Sequence, residues 1–421
     1  MKPMRLAAAL VGAVLAGAAV LVWSLNRLDE SPLDDRPART DAASIARGEY
    51  LARAGHCAGC HSPRGGAPYA GGTPIATPFG AVHAANLTPD PATGLGRWSA
   101  AAFWRALHNG RSADGRLLVP ACPYPNFTNV TRDDADDLFA YLQSLPAVVQ
   151  PNRPHALRFP YGTQAALAVW RAASFRPGAA PSDPARSPAW NRGAYLVGGL
   201  GHCNACHGHR NAWGATDGAL DMSGGTIPMQ GWVAPALDDP AAAGVQRWPL
   251  DDVVALLADG RNAHASVSGP MAMVVARSTQ HLRRDDLVAI ATFLQALPER
   301  RSAATPAPAL PADVRELGER VYVRHCASCH GEQGEGAGAI APALAGNRAV
   351  TLASPANLTR VVLGGAFGPV TKAHPQPFGM PPFATVLSDE EIAAVVTHLR
   401  TRWGHGAAPV GATFVNRQRG G

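Results

Sequence analysis

The chain opens on an uncharged apolar run, LAAALVGAVLAGAAVLVWSL, from Leu6 to Leu25. About 20 apolar residues cross the hydrocarbon core of a bilayer, so residues 1–27 are predicted to form a single membrane-spanning helix. Lys2 and Arg5 precede the run, which keeps the N-terminus inside and sends the rest of the chain outward. An A-x-A-like site, AGA at 16–18, is followed by the still apolar AVLVWSL. That pattern favours a retained anchor over a cleaved signal peptide, and either one exports the chain.

Beyond the anchor the polar and apolar positions repeat one plan three times. Short helical patterns, ARGEYLARAGHC, NRGAYLVGGLGHC and ELGERVYVRHC, open each copy. Amphipathic helices close them at 132–146, 284–298 and 388–403. Acidic residues at the start of each closing helix suit the positive end of the helix dipole, and Pro146 and Pro298 stop two of them. GRWSAAAFWRALHNGR at 96–111 matches QRWPLDDVVALLADGR at 246–261, with Trp98 and Trp248 each 12 residues before a Gly-Arg. A helix is expected at both places, its tryptophan packing in the core or against a cofactor edge. The division this implies is 45–150, 189–298 and 314–404. A Pro-punctuated linker at 151–188 carries a short helix around Gln164–Ala173. A Pro/Ala tether at 299–313 is expected to be extended, and a tail at 405–421 to be flexible.

Charge narrows the partners. The net charge of +6 rests almost wholly on arginine, since only Lys2 and Lys372 are lysines. No dense basic run or aromatic-basic platform occurs, so nucleic acid is not an expected partner. Alanine, glycine and proline are abundant and aromatics make up 6%. That composition fits small helical domains packed around a large cofactor.

Six of the seven cysteines name that cofactor. CAGCH at 57–61, CNACH at 203–207 and CASCH at 326–330 are each C-x-x-C-H, spaced by 146 and 123 residues. In a c-type haem site two thiols one helical turn apart add to the vinyl groups and the next histidine binds iron. Zinc needs two pairs closing on one metal, and three pairs leave one over; a redox pair does not require the histidine three times. Three covalent haems are therefore expected, on Cys57 and Cys60, Cys203 and Cys206, and Cys326 and Cys329, with His61, His207 and His330 proximal. His56, His202 and His325, each before a first cysteine, are expected at the surface or the propionate side.

A closed electron-transfer haem takes a second protein ligand. SGPMAMVV at 268–275 offers Met271, with Met273 its nearest rival and Met229 a weaker one; PFGMPPFATV at 377–386 offers Met380. The first copy contains no methionine. In its corresponding loop PACPY places Cys122, 61 residues after His61, against 64 from His207 to Met271 and 50 from His330 to Met380. Cys122 is thus the candidate sixth ligand of the first haem. A free thiol, an intermolecular disulfide, or ligation by His83 or His108 instead are the alternatives.

From Ile45 to Trp403 the chain resembles the three-haem cytochrome c subunits of bacterial membrane-bound dehydrogenases for alcohols, gluconate and sorbitol. It is also similar to those serving molybdenum aldehyde or N-heterocycle dehydrogenases. The residues that carry the likeness are the three motifs, TPFGAVHAANLTPDPATGLGRWS at 77–99, GWVAPAL with GPM, and GMPPFATVLSDEE. The resemblance implies an all-α fold of three tandem cytochrome c domains after an N-terminal transmembrane helix. It implies His61, His207 and His330 as proximal ligands, with Met271 and Met380 distal. It departs from the family's PAMPY at PACPY, and from members with a removable signal peptide. The implied role is electron transfer at the periplasmic side of the bacterial inner membrane. Electrons would come from a flavin, quinone-cofactor or molybdenum dehydrogenase subunit and go to membrane quinone or a terminal oxidase, with no catalysis by this chain alone. Two rivals stand beside it. One is a free-standing haem enzyme that oxidises sulfur compounds at a Cys-ligated haem; the other is a tethered relay without a dedicated dehydrogenase.

Overall fold

The periodic segments fold as helices in the structure, a computed structural model that describes residues 2–27, 34, 36–178, 182–300, 310–338, 340–376 and 379–420. The three closing helices run Arg132–Ser144, Arg284–Gln295 and Asp389–Thr401. Thr131 caps the first of them, and Ser388 with Glu391 forms a full capping box on the third. The leading helices are Ala42–Ala54, Pro188–Gly198 and Ala312–His325. Ala100–Asn109 and Leu250–Asp259 occupy the two matched segments, each ended by a left-handed glycine, Gly110 and Gly260.

Each leading helix crosses its closing helix at a glycine. A Cβ on Gly48 would collide with the carbonyl oxygen of Asp137, one on Gly193 with that of Ala289, and one on Gly318 with that of Ala394. The backbones touch there, and no larger residue fits without prising the pair apart. Arginine before the first two glycines pins the crossing electrostatically. Arg47 Nη2 lies 2.5 Å from Asp134 Oδ1, and Arg192 Nε 2.7 Å from Asp286 Oδ1. The third copy has Leu317 at that position, and its crossing rests on packing. Leu387, Ile392, Val395, Val396 and Leu399 form the core there, with Val321 and Tyr322 from the leading helix.

The chain divides into two compact units. The first comprises Met1–Ala52, Cys57–Pro181 and Ala212–Ala215; the second comprises Arg53–His56, Ser182–Asn211 and Thr216–Gly421. The second therefore contains both the second and the third C-x-x-C-H motif.

The fold is mostly helical, and the all-α expectation needs correcting for short strands. Pro74–Thr77, Gly80–His83 and Ala156–Leu157 make a three-stranded antiparallel sheet in the first unit. The second unit has two-residue ladders, Gly225–Thr226 with Val233–Ala234 and Ala366–Phe367 with Gly379–Met380. The 151–188 segment is more than a linker, because its strand completes that sheet and its helix, Gln164–Ser174, buries Leu167 and Ala172. The 405–421 tail, expected to be flexible, carries the helix Ala412–Arg419. Val415 is fully buried in it, and Arg419 pairs with Asp389 at 2.8 Å. The Pro/Ala tether lies largely outside the described residues, at 301–309, as do residues 377–378 before Met380. At the N-terminus the helix Lys2–Leu25 is long and apolar enough over Arg5–Leu25 to cross a membrane, and it fits an export signal or an anchor equally.

Candidate functional site

Each C-x-x-C-H motif folds as one helical turn, over Cys57–His61, Asn204–His207 and Ala327–His330. One turn brings its two cysteines to the same face, as thioether attachment requires. The three histidines are then oriented identically. Nδ1 of His61 lies 2.7 Å from the carbonyl oxygen of Ala85, Nδ1 of His207 2.8 Å from that of Pro235, and Nδ1 of His330 3.0 Å from that of Pro342. With a carbonyl as partner, Nδ1 must carry the proton, which leaves the Nε2 lone pair free for iron. Burial lowers the basicity of all three rings, partly offset by that hydrogen bond, and favours the neutral ligand form.

A glycine locks each histidine from behind. The N–H groups of Gly71, Gly224 and Gly336 donate to the carbonyls of His61, His207 and His330 at 2.8, 2.6 and 2.8 Å. All three have left-handed φ, +75°, +82° and +77°, and a Cβ there would strike the backbone around Ala85, Ala236 and Ala343. The same short strand of backbone thus holds the ring and excludes any side chain beside it. The sequence reading missed both parts of this clamp. Its visible signal was the repeated APAL at 234–237 and 341–344, whose proline carbonyl is the acceptor in two copies.

In the second unit the motifs open onto one continuous cavity of about 450 Å³. Cys203, Cys206, His207 and Met271 line it, and so do Cys326, Cys329, His330 and Met380. Most of the remaining wall is aliphatic, including Leu196, Val253, Ile290, Val362 and Leu399. Arg348 is the only Arg, Lys, Asp or Glu among the described residues lining it. Its guanidinium lies 5.9 Å from the Trp248 ring and donates to the Ala242 carbonyl at 3.2 Å, while its own N–H reaches the His264 carbonyl at 2.8 Å. An apolar slot with paired thiols and a free imidazole nitrogen fits a covalently bound haem. Among the described residues no cluster of three or more His, Cys, Asp or Glu could hold a bare metal ion.

Two distal candidates meet this cavity. Met271 sits in the first turn of the helix Gly269–Arg277, where a loop was expected; Pro270 is accommodated there because the first turn leaves N–H groups unbonded. Met380 is in the short strand paired with Ala366–Phe367. The rivals Met273 and Met229 are exposed and do not line the cavity. His56, His202 and His325 line the cavity as well, rather than lying on the outer surface.

In the first unit the Cys122 thiol is close enough to Cys60 and Cys57 to interact with them electrostatically. Cys122 occupies the turn before the helix Tyr124–Phe127, its N–H bonded to the Val119 carbonyl at 3.1 Å. Burial, and next the proximity of Cys60, push its thiol up to about 12 against a lowering hydrogen bond from the Tyr124 N–H. It forms no disulfide within the chain among the described residues. His83 is held by the Pro154 carbonyl through Nδ1 at 2.8 Å, and His108 stacks on Trp104 with ring centroids 4.3 Å apart.

Comparison with known proteins places this arrangement. The cytochrome c family matches residues 45–146 and 316–403. The chain is 38% identical over 406 residues to the gluconate 2-dehydrogenase cytochrome c subunit of Pantoea cypripedii, covering 92% of this chain and 91% of that one. It is 37% identical over 397 residues to the cytochrome c subunit of the quinone alcohol dehydrogenase of Gluconobacter oxydans, covering 90% and 83%. With the fructose dehydrogenase cytochrome subunit of Gluconobacter japonicus it shares 31% identity over 440 residues, 96% of this chain and 88% of that one.

Proposed function

The chain belongs to the cytochrome c subunits of membrane-bound dehydrogenases, and from that premise we propose that it is a three-haem relay tethered at the periplasmic face of the inner membrane. Haem c is bound through the pairs Cys57/Cys60, Cys203/Cys206 and Cys326/Cys329. Its iron supplies one-electron cycling between ferric and ferrous states. The residues that would hold its iron are His61 with Cys122, His207 with Met271, and His330 with Met380. Three cytochrome c domains, over 45–150, 189–298 and 314–404, hold the three sites. A partner dehydrogenase subunit oxidises the substrate, and electrons leave for membrane quinone or a terminal oxidase.

The observation that carries this reading is the shared cavity of the second and third motifs. A mostly apolar space lined by both thiol pairs and both methionines favours electron passage between neighbouring cofactors, and among its described lining residues Arg348 is the only Arg, Lys, Asp or Glu that substrate chemistry could draw on. The test is to purify the complex through a tag on this chain. A dehydrogenase should co-purify, and its substrate should reduce the haem absorbance and then a soluble quinone analogue. The second reading, a free-standing sulfur-oxidising enzyme, draws on the thiol of Cys122 beside Cys57 and Cys60. Turnover of thiosulfate by the purified chain alone would replace the relay with that reading.

A further inference from the structure

The end of the N-terminal helix is fastened to the first unit by hydrogen bonds. Asn26 is buried, and its Nδ2 donates to the carbonyls of Val22 at 2.8 Å and Ala168 at 2.9 Å. Arg111 Nη2 donates to the Asn26 carbonyl at 2.8 Å. Ala168 lies in the middle of the helix Gln164–Ser174. Wherever residues 6–25 leave a bilayer, that second helix lies one hydrogen bond from the exit point.

The surface around this helix has the chemistry of a bilayer interface. Outside the N-terminal helix, the exposed large apolar side chains among the described residues of the first unit are Val149, Phe159, Tyr161, Val169 and Trp213. Four of these five lie on, lead into or are hydrogen-bonded to the helix Gln164–Ser174. Phe159, 87% exposed, and Tyr161 lead into the helix, Val169 is on it, and the Trp213 carbonyl accepts from Trp170 Nε1 at 2.9 Å. No Asp or Glu lies between Asp137 and Asp183, whereas Arg153, Arg158, Arg171 and Arg176 do. Of these only Arg171 is buried. At the end of the N-terminal helix the Arg27 guanidinium lies 4.7 Å from the ring of the exposed Trp23, a cation with an aromatic as at a membrane boundary.

We propose that residues 158–176 form a membrane-docking surface whose occupant is an anionic lipid headgroup layer. Phe159, Tyr161 and Val169 enter the interface beside the exit of the N-terminal helix, and Arg158 and Arg176 meet lipid phosphates. Apolar side chains and acid-free basic charge on one segment match what an interfacial helix needs. A single spanning helix leaves its soluble unit free to tilt; a second contact one hydrogen bond away fixes the orientation of the first haem site to the plane in which quinone is dissolved. This rests on the anchored reading of residues 6–25.

The test uses the full haem-loaded chain in vesicles of phosphatidylcholine and phosphatidylglycerol doped with a photoactivatable phospholipid, with labelled peptides mapped by mass spectrometry. Label is expected in 158–176 as well as in 6–25. The exposed-site variant Phe159→Ser/Tyr161→Ser/Val169→Ser should lose label in 158–176 by about fivefold while keeping its haem absorbance and its label in 6–25. Label confined to 6–25, or undiminished in the variant, overturns the proposal. Protection of 158–176 by a co-purified dehydrogenase without lipid labelling also overturns it and makes a protein the occupant. Equal labelling on phosphatidylcholine alone removes the anionic requirement. The same spectra read the mature N-terminus: a start near Ala19 shows that the anchored reading has failed, and label in 158–176 then decides the surface separately.

Discussion

A thiolate donates more charge to iron than a thioether does, so ligation by Cys122 would stabilise the ferric state of the first haem. Burial holds the Cys122 thiol up to about 12, so it would bind as a thiolate only with a metal there to favour the deprotonated sulfur. Cys122→Met is expected to raise one of three midpoint potentials and to remove a thiolate-type low-spin signal from the ferric spectrum. Unchanged spectra and potentials in Cys122→Ser would make the thiol a bystander. The histidine clamp makes a separate prediction. Gly224 has φ +82° and no room for a Cβ against Ala236. Gly224→Ala should therefore shift the Pro235 segment that orients His207. Its expected signature is partial conversion of one haem to high spin, with stability lowered by roughly 1–3 kcal/mol. A low-spin spectrum indistinguishable from the parent's would show that the clamp is dispensable.

The paired helices are where local pattern and packing meet. Acidic first turns and apolar periodicity mark the closing helices, while the leading helices declare themselves by the glycine that lets two backbones touch. Gly193→Ala sets a methyl group against the Ala289 carbonyl and the Phe293 side chain, so the helices must separate. Overpacking of this kind is expected to lower stability by about 1–3 kcal/mol. Urea unfolding followed through the haem absorbance would measure it. Gly48→Ala should act similarly in the first copy, against Asp137 and Tyr141. An unshifted midpoint for Gly193→Ala would mean that the crossing relaxes without loss. Arg47 and Arg192 add charge-assisted bonds to acids that are almost wholly buried, Asp134 and Asp286.

For the complete protein, three attachment motifs predict three haems that survive denaturation. Pyridine haemochrome and intact mass should both return three per chain, and two or fewer after full maturation would make one motif structural. Retention of residues 6–25 predicts that the mature chain stays in the membrane fraction and begins before the apolar run. N-terminal sequencing that starts near Ala19 would end that expectation.

Much of this was legible in the amino-acid order because it depends on short-range chemistry. Thioether attachment requires its thiols and histidine within five residues, an amphipathic helix writes its own period, and a bilayer span is a matter of length and polarity. Those rules also separate Cys122 from the six paired cysteines. What pairs a histidine with the carbonyl of Ala85, Pro235 or Pro342 is distance across a loop; the repeated APAL marks the acceptor in two copies but not the histidine it meets. The choice of Met271 over Met273 depends on which side of one helical turn faces the cavity. The tail looked flexible by its position, yet Val415 found a core to fill. A single cavity joining the second and third motifs arises because segments far apart in the chain share one apolar interior, and burial of that kind belongs to the folded chain alone.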